Sequence, residues 1–347
     1  RGRTHMTRDR LLELLRGFEK ATIGVIGDFF LDKYLIIDPA LAERSLETGL
    51  EAFQVVEKRP SPGAAGTVCS NLAALRVGRL LAIGAVGDDG DGYELRQGLS
   101  ARGVDHTHLL SLSERYTPTY TKPMVIDADH PGGEREINRM DVKWRQPTTP
   151  EIERAIMAQL DACLDQLDAV VIADQVQERN HGVITDAVRE GLAQRAAARP
   201  GTVFFVDSRM HIGEFRHAII KPNSHEAAAA VGLESTDALE DLARGARSLM
   251  ERSGRPVFVT AGERGIVVVD EGGMAHVPAI PVTGPIDIVG AGDSTTAGIV
   301  SALCAGASLT EAALVGNLVA SITIQQLGTT GTATPEQVLE RLGAVGP

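Results

Sequence analysis

The sequence predicts an α/β fold, a mostly parallel sheet flanked by helices, with a small β-sheet lid. Three observations point there. Short apolar strand-like runs alternate with helical stretches along most of the 347 residues, the pattern of buried parallel strands joined by crossovers. Many of the 37 glycines fall between a strand-like run and a helix-like run. Two segments, about 33–60 and 115–140, break the rhythm with short alternating strands and no helix between them.

In chain order, residues 8–20 read as an amphipathic helix with Leu11, Leu12, Leu15 and Phe18 on one face. Residues 22–28 read as a buried strand ending in the Asp28 carboxylate, and comparable strands follow at 80–86, 169–174, 203–207, 218–222 and 257–260. Helices are expected near 65–77, 91–102, 150–165, 182–198 and 237–252. The two strand-rich segments, with runs such as Tyr120–Ile126, form the expected lid near the substrate-side loops. In the final third, 265–271 and 273–278 read as a hairpin, followed by helices at 291–304 and 309–325. No linker, repeat or low-complexity block interrupts the chain, which predicts one domain over residues 7–347. Residues 1–6 resemble an expression-tag remnant.

Composition narrows the function. A net charge of −12 argues against broad nucleic-acid or anionic-membrane binding, yet leaves room for a small anionic substrate held by local cations and helix N-termini. Cys69, Cys163 and Cys304 are far apart and lack metal spacing, the usage of reduced cytoplasmic thiols. The nine histidines form no HExxH-type cluster, and no run approaches the ~20 apolar residues that cross a bilayer.

The strongest chemical signal is the run from Asp287 to Gly298, DIVGAGDSTTAG. Gly290, Ala291 and Gly292 are small enough for backbone N–H groups to approach a phosphate, and the helical run behind them places those groups at a helix N-terminus. Asp293 beside a phosphate is electrostatically awkward unless it accepts a proton from an attacking hydroxyl. A bare GxG would read as a glycine turn capped by an acid; the whole string points to the phosphate site.

This run resembles the C-terminal signature of the ribokinase-like (PfkB) carbohydrate kinases, and the likeness continues along almost the whole chain. Gly27-Asp28 with Asp32-Lys33-Tyr34 resembles the opening motif, and Pro62–Ala73 resembles the N-terminal glycine-rich signature, with Thr67 where the family has Asn. Lys221-Pro222-Asn223-Ser224-His225-Glu226 matches KPNxxE, Thr260–Gly265 resembles TxGxxG, and Gly331-Thr332 resembles the closing GT. The resemblance implies a ribokinase-like fold and an ATP-dependent sugar kinase with Asp293 as base and an anion hole at Gly290, Ala291 and Gly292. It implies nucleotide contacts at Asn223, Thr260, Gly262, Gly265 and Asn317, and Mg²⁺ held largely through water by Asn223 and Glu226. Read on their own, Asn223 and Glu226 would make a helix capping box, and Asn317 a satisfied interior amide. A monovalent cation such as K⁺ belongs to the family pattern, which departs here at Ile288.

Within the family, the likeness is to heptose 7-phosphate kinases, on Gly27-Asp28, Asp32–Tyr34, Thr117–Lys122, Asn138–Asp141 and Val206–Arg209. That implies sugar contacts at Asp28, Asp32, Gly63 and Thr67, with Lys122 and Arg139 as cations for a sugar phosphate. A solvated charged face is the alternative for those two. The subfamily's Asp-Tyr-x-Lys-Gly stretch is Asp174–Arg179 here, without its lysine; Arg179 is the substitute cation, or Glu178 signals a neutral sugar. Kinases for ribose, fructose or a nucleoside, and a non-catalytic sugar or nucleotide sensor on the same fold, are the rival readings. The expected partners are a small sugar or sugar phosphate and, through exposed lid edges, a second copy of the chain.

Overall fold

The structure, a computed structural model, describes residues 6–130, 132–233 and 238–345. Residues 1–5 of the segment taken as a tag remnant lie outside them, while Met6 packs into the core. Helix α1 (Arg8–Phe18) leads into β1 (Thr22–Gly27) and β2 (Phe29–Ile37). Two short strands, β3 (Glu43–Arg44) and β4 (Glu51–Ala52), precede β5 (Val55–Ala64), α2 (Ala65–Ala74), β6 (Arg79–Gly87) and α3 (Gly90–Ser100). Then come β7 (Val104–Asp105), β8 (Leu109–Leu112), β9 (Thr119–Ile126), β10 (Glu134–Glu136), β11 (Met140–Val142) and α4 (Pro150–Cys163). β12 (Ala169–Asp174), α5 (Asp186–Ala198), β13 (Val203–Ser208), β14 (Ile219–Ile220), α6 (Ser224–Val231) and α7 (Leu239–Ser253) follow. The chain continues through β15 (Val257–Thr260), β16 (Ile266–Asp270), β17 (Gly273–Val277), α8 (Ala291–Cys304), α9 (Leu309–Thr323) and α10 (Pro335–Val345).

The main sheet runs β17-β16-β15-β14-β13-β12-β1-β6-β7, with β8 also paired to β6. Its pairings are parallel from β7 to β15, and the β16–β17 hairpin adds two antiparallel strands at one edge. Both faces are apolar, as parallel sheets require. Along β12, Ala169, Val171 and Ala173 join one core cluster, which includes residues of α1, α2, α8 and α9. Val170 and Ile172 join the other, with residues of α4, α5 and α7.

The second sheet is smaller, in the order β10-β9-β2-β5 with β11 on β9. β2 is its hub, antiparallel to β5 and parallel to β9, which places Asp32 beside Tyr120 and Tyr34 beside Lys122. This sheet starts at Phe29 and ends at Val142, wider than the 33–60 and 115–140 read from sequence.

Three local expectations need correction. The buried face of α1 is Leu11, Leu14, Leu15 and Phe18, because Leu12 sits on the flank of the stripe. α5 begins at Asp186 rather than 182, because residues 175–183 form a loop whose amides are bound by the Asp28 carboxylate. The strand expected over 218–222 shrinks to two residues, since Pro222 has no N–H to give a ladder. Among the described residues, no helix is long and apolar enough to cross a membrane.

Candidate active site

Strands β1, β12, β13 and β15 run parallel, so residues just past their C-terminal ends gather along one edge of the sheet. The N-terminus of α8 belongs to this edge. Gly290 is its N-cap in the left-handed region (φ 79°), a conformation that glycine adopts without cost. No side chain caps the helix. The Ala291 N–H turns back to the Ile288 carbonyl (3.1 Å) and the Ser294 N–H bonds the Gly290 carbonyl (3.0 Å). Among the described hydrogen bonds, the Gly292 and Asp293 N–H groups have no acceptor. They are left as free donors where the GAGD string predicts an anion cradle.

Asp293 lies in that first turn, half-buried, with no hydrogen bond or ion pair to its carboxylate among the described residues. Burial, followed by the like charge of Asp207, pushes its pKa up to about 7, against the opposing pull of Lys221 and Arg209. Asp207 ends β13 and pairs with the buried Lys221 (3.1 Å), while accepting a bond from Thr296 of α8 (3.3 Å). A Cβ on Gly292 would lie 3.7 Å from Lys221 Nζ, so the pair sits directly under the cradle.

Arg209, two residues beyond Asp207, is the group that the sequence reading passed over. Its backbone is anchored to β12 through the Asp174 carbonyl (3.0 Å). Its side chain is exposed and has no partner among the described residues. Its charge is felt by Asp293, by Glu226 and by Tyr120 of the small sheet, so it stands between the two halves of the cleft. The visible signal was a charged residue placed immediately after a buried strand in Val206-Asp207-Ser208-Arg209.

Asp32 faces this cleft from the small sheet. Its carboxylate has no hydrogen-bond partner among the described residues; burial raises its pKa, while Lys122 and Arg139 oppose the rise. A Cβ on Gly63 would fall 2.6 Å from Asp32 Oδ2, so only glycine leaves room for this carboxylate. Lys122 donates to the Tyr34 hydroxyl (3.3 Å) and lies over its ring. Arg139 makes a two-pronged pair with Asp141 (2.7 and 2.9 Å) and stacks on Tyr120, which in turn packs on Phe30. Thr67 is buried in the first turn of α2, which also lacks a side-chain cap.

Asp28 departs from the expected sugar contact. Its oxygens accept the N–H groups of Val183 (2.7 Å), Gln175 (2.9 Å) and Val176 (3.2 Å), and the residue is 4 % exposed. Burial, then the neighbouring Asp174, raises its pKa to about 6. It ties β1 to the loop after β12. Arg179 is likewise committed, to Asp186 and Glu214, and Glu178 pairs with Lys143 (3.8 Å), so neither Arg179 nor Glu178 stands free for a sugar.

On the nucleotide side, Asn223 and Glu226 form a capping box, each side chain accepting the other's N–H at 2.8 Å. Glu226 Oε1 stays uncommitted among the described hydrogen bonds, and burial, then Asp207, raises the group's pKa. Thr260 bridges Asn223 and donates its N–H to Pro222 (3.0 Å). Gly262 and Gly265 both adopt positive φ, and Gly265 has no space for a side chain against the Val277 carbonyl. The Asn317 amide donates through Nδ2 to the carbonyls of Val277 (3.1 Å) and Pro278 (2.9 Å).

Comparison with known proteins agrees with this architecture. Residues 33–337 match the pfkB family of carbohydrate kinases. The chain is 31% identical over 340 residues to the bifunctional protein HldE of Pelobacter propionicus, covering 96% of this chain and 66% of that protein. It is 31% identical over 337 residues to HldE of Azorhizobium caulinodans, covering 95% and 67%. The chain thus spans about two thirds of the length of these relatives. Solved structures of similar fold include Arabidopsis thaliana ribokinase complexed with ribose and ATP (TM-score 0.66, 18% identity, 93% of this chain and 98% of that one). Another is phosphofructokinase-2 from Escherichia coli with fructose-6-phosphate (TM-score 0.68, 19% identity, 94% and 100%). With the family match running through both sheets and the GAGD cradle, the chain belongs to the pfkB family of carbohydrate kinases, phosphotransferases acting on sugar hydroxyls, with a ribokinase-like fold.

Proposed function

We propose that this protein transfers the γ-phosphoryl group of ATP to a hydroxyl of a phosphorylated sugar, in the manner of a heptose 7-phosphate kinase. One observation carries the reading. Asp32, Arg209 and Asp293 are three ionisable groups that feel, or share, one another's field across the cleft, yet none has a hydrogen-bond or ion-pair partner among the described residues. Uncommitted charge of both signs in one cleft is costly unless a ligand satisfies it.

In this reading, Asp32 accepts hydrogen bonds from sugar hydroxyls, and Arg209 meets phosphate oxygens from the open side. The Gly292 and Asp293 N–H groups hold the transferred phosphoryl. Asp293 takes the proton of the attacking hydroxyl, which its pKa near 7 allows without excessive cost at neutral pH. Glu226, with one oxygen uncommitted among the described hydrogen bonds, and Asn223 fit Mg²⁺ retained by its waters and the phosphates, where it would offset phosphate charge. Both oxygens of Asp287 accept N–H groups, from Val289 (3.0 Å) and Gly328 (3.2 Å), so that loop closes on itself and no step is assigned to a monovalent ion.

The test is a panel of sugars and sugar phosphates with ATP and Mg²⁺, read by ADP release. Turnover of phosphorylated sugars, with kcat about 10²–10⁴-fold lower in Asp293→Asn, is expected. Arg209→Gln should raise KM for the phosphorylated sugar. Turnover of a neutral sugar alone would remove the sugar-phosphate reading, and an Asp293→Asn variant within a few-fold of the parent would remove the mechanism.

A further inference from the structure

Away from the cleft just described, a cavity of about 490 Å³ opens between α2, the C-terminal end of α3, the edge strand β5 and the 326–332 loop. That is room for a molecule the size of a sugar phosphate. Its polar lining is Ser61, Ser70, Arg102, Gln326, Thr329, Thr330 and Thr332, and no carboxylate lines it although the chain carries 46 acidic residues.

Arg102 is the one charged residue of the lining, and it has no acidic partner among the described residues. Its guanidinium donates to the Gly98 carbonyl (2.8 Å) and reaches Ser61 Oγ at 3.5 Å. Burial lowers its pKa with no neighbouring acid to offset the cost. Gln326 is occupied bracing the loop, through the Thr332 carbonyl (2.7 Å) and N–H (3.2 Å). The Ser70 hydroxyl donates to the Gly66 carbonyl (2.9 Å). The arginine and the remaining hydroxyls are thus what a ligand would meet.

The cavity also adjoins both halves of the active cleft. A Cβ on Gly290 would meet Thr330 at 3.3 Å, and Asp287 binds the same loop through the Gly328 N–H (3.2 Å). Ser61 pairs with Asp32 across β5 and β2.

We propose that this cavity is a second, regulatory anion site that takes a phosphate monoester of a small polyol, with Arg102 as its cation and the Ser61, Thr329, Thr330 and Thr332 hydroxyls as donors. Ligand held there fixes the loop behind the phosphate cradle and the strand beside Asp32.

The test is calorimetric titration with inorganic phosphate in the presence of a non-hydrolysable ATP analogue and Mg²⁺, with sugar phosphate left out because it would itself compete for this cavity. Phosphate should bind the parent, and binding should weaken about tenfold or more in Arg102→Gln, the loss of one charge-assisted contact. Ala74→Glu, which adds an acid to the lining without touching Arg102, should weaken it similarly and carries the test should Arg102→Gln fold poorly. Arg209→Gln should leave this second binding event intact, which separates it from the active cleft. Equal phosphate affinity in the parent, Arg102→Gln and Ala74→Glu, or no phosphate binding by the parent at millimolar concentration, overturns the proposal.

Discussion

Asp293 owes its poise to its surroundings more than to its own chemistry. Burial and Asp207 hold its pKa near 7, and Lys221 and Arg209 keep it from rising further. The acid limb of kcat/KM is therefore expected near neutral pH. Asp207→Asn removes the like charge and leaves Lys221 unopposed, and both changes lower the Asp293 pKa. The limb should move to lower pH in that variant; an unmoved limb would show that Asp293 does not set it. Stability gives a separate check. The folded-state pKa lies above the ordinary carboxylate value of 3.8, so the folded protein binds the extra proton, and stability falls as pH rises from about 4 through 7. Asp293→Asn should accordingly melt higher than the parent at pH 8, with the gap closing toward pH 4. Asp293 itself was legible because its string is dense in small residues before a helix. Asp207, Lys221 and Arg209 come from two strand ends, and no spacing in the chain marks them as neighbours.

At the level of elements, the junction between β5 and α2 is the strained point of the fold. Ala64 caps α2 at φ 53°, ψ −118°, a region that suits glycine and costs a residue with a Cβ about 1–3 kcal/mol. Its neighbour Gly63 lies against the Asp32 carboxylate, so the strain sits beside the proposed sugar contact. Ala64→Gly relieves this but gains unfolded-state entropy, leaving a net stabilisation of about 1 kcal/mol, measured by denaturant midpoint at unchanged m-value. An unchanged or lowered midpoint would show that Ala64 is not strained in solution. The buried strands and most helices were readable, since apolar runs and helical periodicity are local properties. The loop before α5 was not, because its geometry depends on Asp28, some 150 residues earlier in the chain, accepting its amides.

On the scale of the whole molecule, the small sheet carries Asp32 and the main sheet carries Asp293, and the catalytic cleft lies between them. If the small sheet closes on substrate, amide exchange in β2, β5 and β9 should slow when a non-hydrolysable ATP analogue and sugar phosphate are added together. Exchange in β12 and β13 should change little, since those strands lie inside the main sheet with core clusters on both faces. Unchanged exchange in the small sheet would argue against closure.

The amino-acid sequence by itself determined the α/β class, the order of strands and helices, and the run of small residues and Asp293 at a helix start that the proposed mechanism uses. Each is written within a few consecutive residues. The tertiary structure alone decided which charged groups are spent inside the protein and which remain for a ligand. Asp28 and Arg179 looked available and are bound by backbone amides and by carboxylates; Arg209 looked incidental and has no partner among the described residues. Hydrogen bonds and ion pairs of that kind join residues far apart in the chain, so their balance exists only once the sheets have assembled.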